Sequence, residues 1–486
     1  MQSSFEIVIV GTGFAGLGMA IRLRRAGMAD FVLLERAGDI GGTWRDNAYP
    51  GCACDIPAQL YSFSFARNAH WSRVFPTQPE IHAYLRACVE RYDLERHIRY
   101  RSEVVEARYD AERVRWRIET RGGLAYEAPV LISGMGGLSN PAIPQIPGIE
   151  SFAGARFHSA RWDHGVDLAG KAVGVIGTGA SAIQFVPQIA PRVARLHVFQ
   201  RTPPWIVPRF DAPIDARTRR LLRFLPGYAW AQRAFLYLTH EARALGFTVN
   251  PKLLALVEKI ARRELLRRIV DPELRARLTP DYRLGCKRIL ISSDYYPALC
   301  RDNVQVVTSP IQRVEPAAIV TRDGVRYPTD VIVYGTGFRA QDGLAPVRIV
   351  GEGGRTLDDA WADGMEAFLG TSIAGFPNFF TLAGPNTGLG HNSMVYMIES
   401  QIAYVLDALR QLRKRRARAL DVLPDVQRAF NLDLRDRTKH TVWQTGCRSW
   451  YLDENGRNTS LWPGFTFDFR RHTRRIDPSR YTWTVH

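Results

Sequence analysis

Long apolar runs are missing from this sequence. Nowhere in its 486 residues does a stretch approach the ~20 apolar positions needed to cross a bilayer, so no membrane-spanning helix is expected. The N-terminal segment, MQSSFEIVIVGTG, lacks a basic leader and a small-residue cleavage site. Its short apolar run leads into a glycine turn and reads as a first strand, not a signal peptide. A cytoplasmic protein is expected. Cysteine is scarce, six in the whole chain. That is too few for a disulfide framework, and all six are expected as free, partly buried thiols. Cys52 and Cys54 stand as C-x-C and no C-x-x-C occurs, which excludes a redox-active pair of that kind. Lysine is sparse as well: the net charge of +17 rests on basic residues that are nearly all Arg. No aromatic-interleaved basic stripe or zinc-finger spacing accompanies them, so nucleic acid is not an expected partner. Many fall on amphipathic stretches such as 216–223 and 261–268 and read as solvated helix faces.

What is present is an ordinary globular composition, 46% hydrophobic and 23% charged, long enough for two or three domains. Phe5–Val10 is a compact β-branched run of the kind buried on both faces of a parallel sheet. Gly11-Thr12-Gly13-Phe14-Ala15-Gly16 follows, then a helical pattern over Leu17–Arg25 and a second apolar run, Phe31–Leu34, ending in Glu35. This is the dinucleotide fingerprint in full context. Its glycines let backbone approach a pyrophosphate at a helix N-terminus, and the acid accepts from ribose hydroxyls. Next come Gly41-Gly42-Thr43-Trp44, Tyr49-Pro50-Gly51 and Asp55. A large aromatic in a glycine loop after an ADP-binding unit suits the wall of an isoalloxazine ring. Asp55 suits either a functional carboxylate or an N-cap for the residues after Pro57, and the residues alone leave both open.

A second unit repeats the first with one change. Ala172–Ile176 reads as a buried strand, followed by Gly177-Thr178-Gly179-Ala180-Ser181-Ala182, and the next strand, Arg195–Phe199, ends in Gln200-Arg201-Thr202. Arg stands where the first unit carries an acid, which favours the 2′-phosphate of NADP over NAD. One acid-ended and one Arg-ended fingerprint imply FAD and NADPH in one chain, hence hydride transfer to flavin. Without a cysteine pair to carry electrons onward, the remaining common fate of reduced flavin is oxygen, as a useful C4a-peroxide or as wasted hydrogen peroxide.

Between and beyond these units the pattern is coarser. Residues 79–97 read as an amphipathic helix, and Tyr100–Asp110 with Val114–Thr120 as antiparallel strands. Val130–Ser133 reads as a strand, after which Pro141, Pro144 and Pro147 mark a linker. Residues 211–280 carry Leu and Arg at helical spacing and are expected as inserted helices. Basic amphipathic helices suit a membrane surface or, more ordinarily, a lid over an active site. Parallel-sheet character is expected again over Lys287–Ile291, Asp294-Tyr295-Tyr296, Asn303–Val307 and Asp330–Val333. Phe379–Leu382 and a long helix from about Met394 to Arg418 should close the first unit. The expected fold is α/β, with two dinucleotide-binding, Rossmann-like domains. The expected layout is 1–145 with 372–486 for FAD, 146–210 with 281–371 for NADP, and a helical insert over 211–280.

The stretch Phe152–Asp163, FAGARFHSARWD, lies at the junction of the two units. It resembles F-x-G-x-x-x-H-x-x-x-W-[PD], the signature of type I Baeyer–Villiger monooxygenases, with Phe152, Gly154, His158, Trp162 and Asp163 at every fixed position. Gly42-x-Trp44, Tyr49-Pro50-Gly51 and Asp55 also resemble that family's longer flavin-domain motif, and the resemblance runs to about residue 450. It implies an FAD- and NADPH-dependent monooxygenase that inserts one atom of O2 beside the carbonyl of a small ketone, giving an ester or lactone. The alternative on the same scaffold is an N- or S-oxygenating enzyme, whose signature ends in Tyr or Phe in place of the Trp. The resemblance assigns Arg288, in Lys287-Arg288, as the catalytic cation and Asp55 as its partner. It gives His158 a conformational part in catalysis. It assigns Gly11, Gly13, Gly16, Glu35, Gly42, Thr43, Trp44, Tyr61, Val104 and Met394 to the FAD side. Gly177, Gly179, Ser181, Arg201, Thr202, Lys287 and Trp450 fall to the NADPH side. After Trp450 the segment YLDENGRNTSLWPG departs from the lid loop of cyclohexanone-type members. The sequence specifies no oligomeric state.

Overall fold

A computed structural model describes residues 2–342, 344–447 and 449–485. Two five-stranded, all-parallel sheets organise it. In the first, Ile7–Val10 lies between Phe31–Leu34 and Val130–Ser133, with Ile98–Arg99 and Phe379–Thr381 at the edges. In the second, Ala172–Ile176 lies between Arg195–Phe199 and Val331–Tyr334, flanked by Val304–Val307 and Ala155–His158. Each central strand is buried on both faces, as its unbroken apolar run requires. Each also has its sequence neighbour on one side and a late-returning strand on the other. That reversal opens a crevice at the strand's carboxyl end, directly above each glycine turn.

Phe379–Thr381 and the helix Met394–Arg415 bring the chain back to the first unit, the helix packing on Phe14–Arg25. The return begins before residue 372, because Arg348–Val350 already pairs in parallel with Glu106–Arg108 on the first unit's other, mixed five-stranded sheet. The long-range pairing of three residues carries no sequence period of its own.

Other expectations change. Lys287–Ile291 yields only the two-residue strand Leu290–Ile291, paired with Ile206–Val207 outside both main sheets. Tyr295–Leu299 is a short helix, not a strand, and the Ser292 hydroxyl receives the Tyr295 N–H at 3.1 Å. Cys286 and Cys447 form a disulfide, with Cα atoms 6.2 Å apart, and Cys52, Cys54, Cys88 and Cys300 are free. The expectation of six free thiols is therefore corrected: the bonded pair is 161 residues apart in sequence and only the fold brings it together.

The insert is helical, with helices at Ala216–Phe224, Pro226–Glu241, Ala255–Arg268 and Pro272–Leu278. The stretch Phe152–Asp163 supplies the edge strand of the second sheet, Ala155–His158. A Cβ on Gly154 would lie 2.0 Å from the Asp330 carbonyl oxygen, so only glycine allows this strand to dock.

Candidate active site

The first glycine turn is shaped by contacts that a side chain would destroy. Gly11 has φ +95°, and a Cβ on Gly16 would lie 1.9 Å from the Gly11 carbonyl oxygen, which is why the third glycine is needed for the helix to pack. Gly13 faces Gly42: a Cβ on Gly42, where φ is +51°, would stand 3.3 Å from the Gly13 Cα. Two bare backbone turns thus form a cradle at the N-terminus of Phe14–Arg25. Glu35 is buried at the next strand's end, accepting from Thr12 Oγ1 at 2.6 Å and Arg45 Nη1 at 2.7 Å. Thr43 opens the short helix Thr43–Asp46 on the cradle's rim. Trp44 is buried and donates from Nε1 to the Tyr61 hydroxyl at 3.1 Å. Val104 is buried in the mixed five-stranded sheet, and Met394 begins the long helix that follows Ser393. The residues fit an ADP moiety and an apolar-walled ring.

The second turn repeats the design. Gly177 has φ +104°, and a Cβ there would meet the Gly335 carbonyl oxygen at 2.5 Å; Gly179 is looser, 3.7 Å from the same atom. Ser181 is the N-cap residue of Ala182–Ile189. Arg201 is exposed and Thr202 accepts from Thr178 Oγ1 at 3.4 Å. Burial, and then the nearby Arg201 charge, hold the Lys287 ammonium below its ordinary pKa. Neither cation has an ion-pair partner among the described residues. Two adjacent cations without an ion pair, beside a glycine turn, suit an anion.

Asp55 and Arg288 come together at the junction. No helix follows Pro57, so Asp55 does not serve as an N-cap. Its Oδ2 instead accepts from Arg288 Nε at 3.2 Å and from Nη2 of the same guanidinium. Both side chains remain 31% exposed, and Arg288 Nη1 makes no hydrogen bond to another described residue. Burial alone would raise the Asp55 carboxyl, but the charge and hydrogen bonds of Arg288 outweigh it and hold it below the ordinary carboxylate range. Asp55 in turn raises the Arg288 pKa still further. The pair is thus ionised at all ordinary pH, with one nitrogen left to donate outward.

The C-terminal segment closes one side of this pair, in a way that the sequence reading missed. Trp450 lies 45% exposed, its carbonyl held by Gln341 Nε2 at 2.8 Å. The next residue, Tyr451, is fully buried, with its hydroxyl beside the Arg288 guanidinium. Burial raises the Tyr451 pKa, while the neighbouring Arg288 charge opposes the rise. The disulfide bonds this segment, at Cys447, to the loop carrying Arg288, at Cys286. The only sequence signal for Tyr451 is its place beside Trp450.

His158 lies elsewhere. Its Nδ1 accepts the Ala160 N–H at 3.1 Å and its ring meets Phe338 edge-on, with centroids 5.6 Å apart. Burial lowers its pKa to about 4, so the ring is neutral. No contact among the described residues joins it to Arg288 or Asp55. Trp162 ties the units together through Phe185, which packs against Tyr49; the Tyr49 hydroxyl donates to Gln184 Oε1 at 3.0 Å.

Residues 8–223 match the family described as pyridine nucleotide-disulphide oxidoreductase. The chain is 53% identical over 479 residues to a Baeyer–Villiger monooxygenase of Streptomyces coelicolor, covering 98% of this chain and 92% of that one. It is 50% identical over 482 residues to a Baeyer–Villiger monooxygenase of Pseudomonas aeruginosa, covering 99% and 92%. Among solved structures, an oxidised steroid monooxygenase bound to NADP is similar over the full length of both chains, with a TM-score of 0.89 and 33% identity. A closed cyclohexanone monooxygenase matches equally completely, with a TM-score of 0.91 and 28% identity.

Proposed function

The chain belongs to the Baeyer–Villiger monooxygenases, and from that membership and its junction site we infer that it uses FAD, NADPH and O2 to convert a ketone to an ester or lactone. The observation that carries the reading is the Arg288–Asp55 pair, a permanent cation held between the two dinucleotide-binding units with one guanidinium nitrogen free. The flavin, when bound, supplies the activated oxygen. The chain's own residues bind, orient and neutralise charge.

In this proposal the Gly11–Gly16 turn and Gly42 hold the FAD pyrophosphate, Glu35 the ribose, and Trp44, Tyr61, Val104 and Met394 the ring side. Gly177, Gly179 and Ser181 hold the NADPH pyrophosphate, while Arg201, Thr202 and Lys287 hold its 2′-phosphate. Baeyer–Villiger oxidation needs an anionic oxygen nucleophile, and negative charge then develops on the ketone oxygen as its carbon is attacked. Arg288 Nη1 donates to that oxygen, and its fixed charge stabilises both anions without reorganisation. Asp55 orients the guanidinium; Tyr451 excludes water beside it. Trp450 belongs to the segment that covers the nicotinamide side. The substrate is a small-molecule ketone. A cytoplasmic location belongs to the same proposal, and requires the Cys286–Cys447 bond to persist in a reducing compartment.

The test is a substrate panel with purified holoenzyme and NADPH, products identified by mass. Ketones should give esters or lactones. Oxidation of thioethers with ketones left untouched would overturn the reading. His158 acts in this account as a neutral packing residue of the edge strand, conveying domain position. His158→Ala should therefore keep FAD while ketone-coupled NADPH turnover falls several-fold and the pH profile stays unshifted. A shifted profile, or an apo protein, would remove that role.

A further inference from the structure

The second helix of the insert, Pro226–Glu241, has two distinct faces. One packs inward. Arg233 donates to the Ser62 carbonyl at 3.0 Å, Tyr237 stacks on Tyr396 with centroids 4.9 Å apart, and Glu241 accepts from Asn392 at 2.6 Å. The opposite face carries Ala231, Phe235 and Leu238 at helical spacing, and exposed Leu245 and Val249 follow in the next short helical segment. Phe235 is 66% exposed and Leu238 63%, and no charged side chain lies on this face of the helix between them and Ala231. Of the large hydrophobic side chains exposed among the described residues, thirteen of twenty-one fall between 210 and 270. Scattered apolar side chains on a surface are normal, but an uncharged stripe of this length is the mark of a contact surface. These inward contacts account for the inner face only.

The flanking helices carry an excess of basic charge. Between residues 216 and 268 stand twelve Lys and Arg against three Glu, a net charge of +9. The three acids are already engaged: Glu241 with Asn392, Glu258 with Arg262, and Glu264 with Arg267 and Arg268. Arg219, Arg220 and Arg223 on the first helix and Arg263 on the third are exposed and make no ion pair among the described residues. A second copy of this chain is a poor occupant, because a two-fold interface sets the same surface against itself and would bring these unpaired cations together. A surface that is anionic outside and apolar beneath satisfies both features. We propose that the outer face of the insert seats on an anionic lipid bilayer surface, with Phe235 and Leu238 at the acyl boundary and the arginines among the headgroups. The association is peripheral, since no described helix is long and apolar enough to cross a membrane. The inference does not depend on the reaction assigned above.

The test uses holoenzyme in a flotation assay, comparing phosphatidylcholine vesicles containing phosphatidylglycerol with vesicles of phosphatidylcholine alone. The protein should float with the anionic vesicles, at least about ten-fold more than with the neutral ones, and added salt should release it. The double variant Phe235→Ser/Leu238→Ser and the triple variant Arg219→Glu/Arg220→Glu/Arg223→Glu should each lose flotation, while FAD content and ketone-driven turnover without vesicles stay at the parent level. Failure of the parent protein to float, or equal flotation by the triple variant, would overturn the proposal. So would light scattering that shows a dimer, dissociated by the double variant, with no vesicle binding by either protein.

Discussion

Arg288→Ala should lower ester formation by about a hundred- to a thousand-fold while NADPH still reduces the flavin at close to the parental rate. The two half-reactions separate because they draw on different residues. On the proposed reading, hydride transfer needs the nicotinamide placed by the second glycine turn and by Arg201 and Lys287, and among the described residues none of these hydrogen-bonds the side chains of Asp55 or Arg288. Oxygen insertion needs a positive charge where an anion forms, and Arg288 is the cation held there, fixed by Asp55 through Nε and Nη2. Its loss also leaves Asp55 as an unpaired acid in a largely enclosed site. Asp55→Asn should be milder, since the guanidinium remains charged and only its orientation loosens. Because Arg288 holds the Asp55 carboxyl below the ordinary carboxylate range, the pair's contribution to stability is present above the ordinary carboxylate pKa and is lost only as the pH falls through the lowered value. Stopped-flow reduction beside product analysis reads both halves. Equal loss of both would show that Arg288 serves nicotinamide binding instead.

The second large effect concerns the C-terminal segment. Cys447→Ser should leave a folded, FAD-containing protein that is less stable and turns over ketone poorly. A cross-link between residues 161 apart restricts the unfolded chain by about 5 kcal/mol on the chain-entropy account, and here it also anchors Tyr451 against Arg288. Thiol titration of the denatured protein gives a direct count: four thiols without reductant, matching Cys52, Cys54, Cys88 and Cys300, and six after reduction. The variant should lower the thermal midpoint and ketone turnover together. Six thiols before reduction, or a variant indistinguishable from the parent in both, would contradict the clamp.

Much of this was legible in the sequence where the determinants are local. Phe31–Leu34, Ala172–Ile176 and Arg195–Phe199 are strands with the bounds that their apolar runs suggest. The glycines of the first turn are explained by the carbonyl oxygens and backbone they meet. Asp55 and Arg288, 233 residues apart, became a pair only through resemblance, and the structure brings them together. What escaped was non-local. Nothing near Cys286 announces Cys447, and Tyr451 becomes a site neighbour only once the disulfide folds its segment over. The Tyr295-Tyr296 pair has strand-like residues, yet a serine hydroxyl at its N-terminus and burial on all sides make it helical.

The central claim is that this chain places an oxygen atom from O2 beside a ketone carbonyl, at Arg288. Turnover of a cyclic ketone with NADPH under ¹⁸O2 tests it most directly. The account predicts a lactone carrying a single ¹⁸O atom, formed by the parent and at least about a hundred-fold less by Arg288→Ala. Unlabelled lactone, or untouched ketone with all the label in hydrogen peroxide, would contradict it.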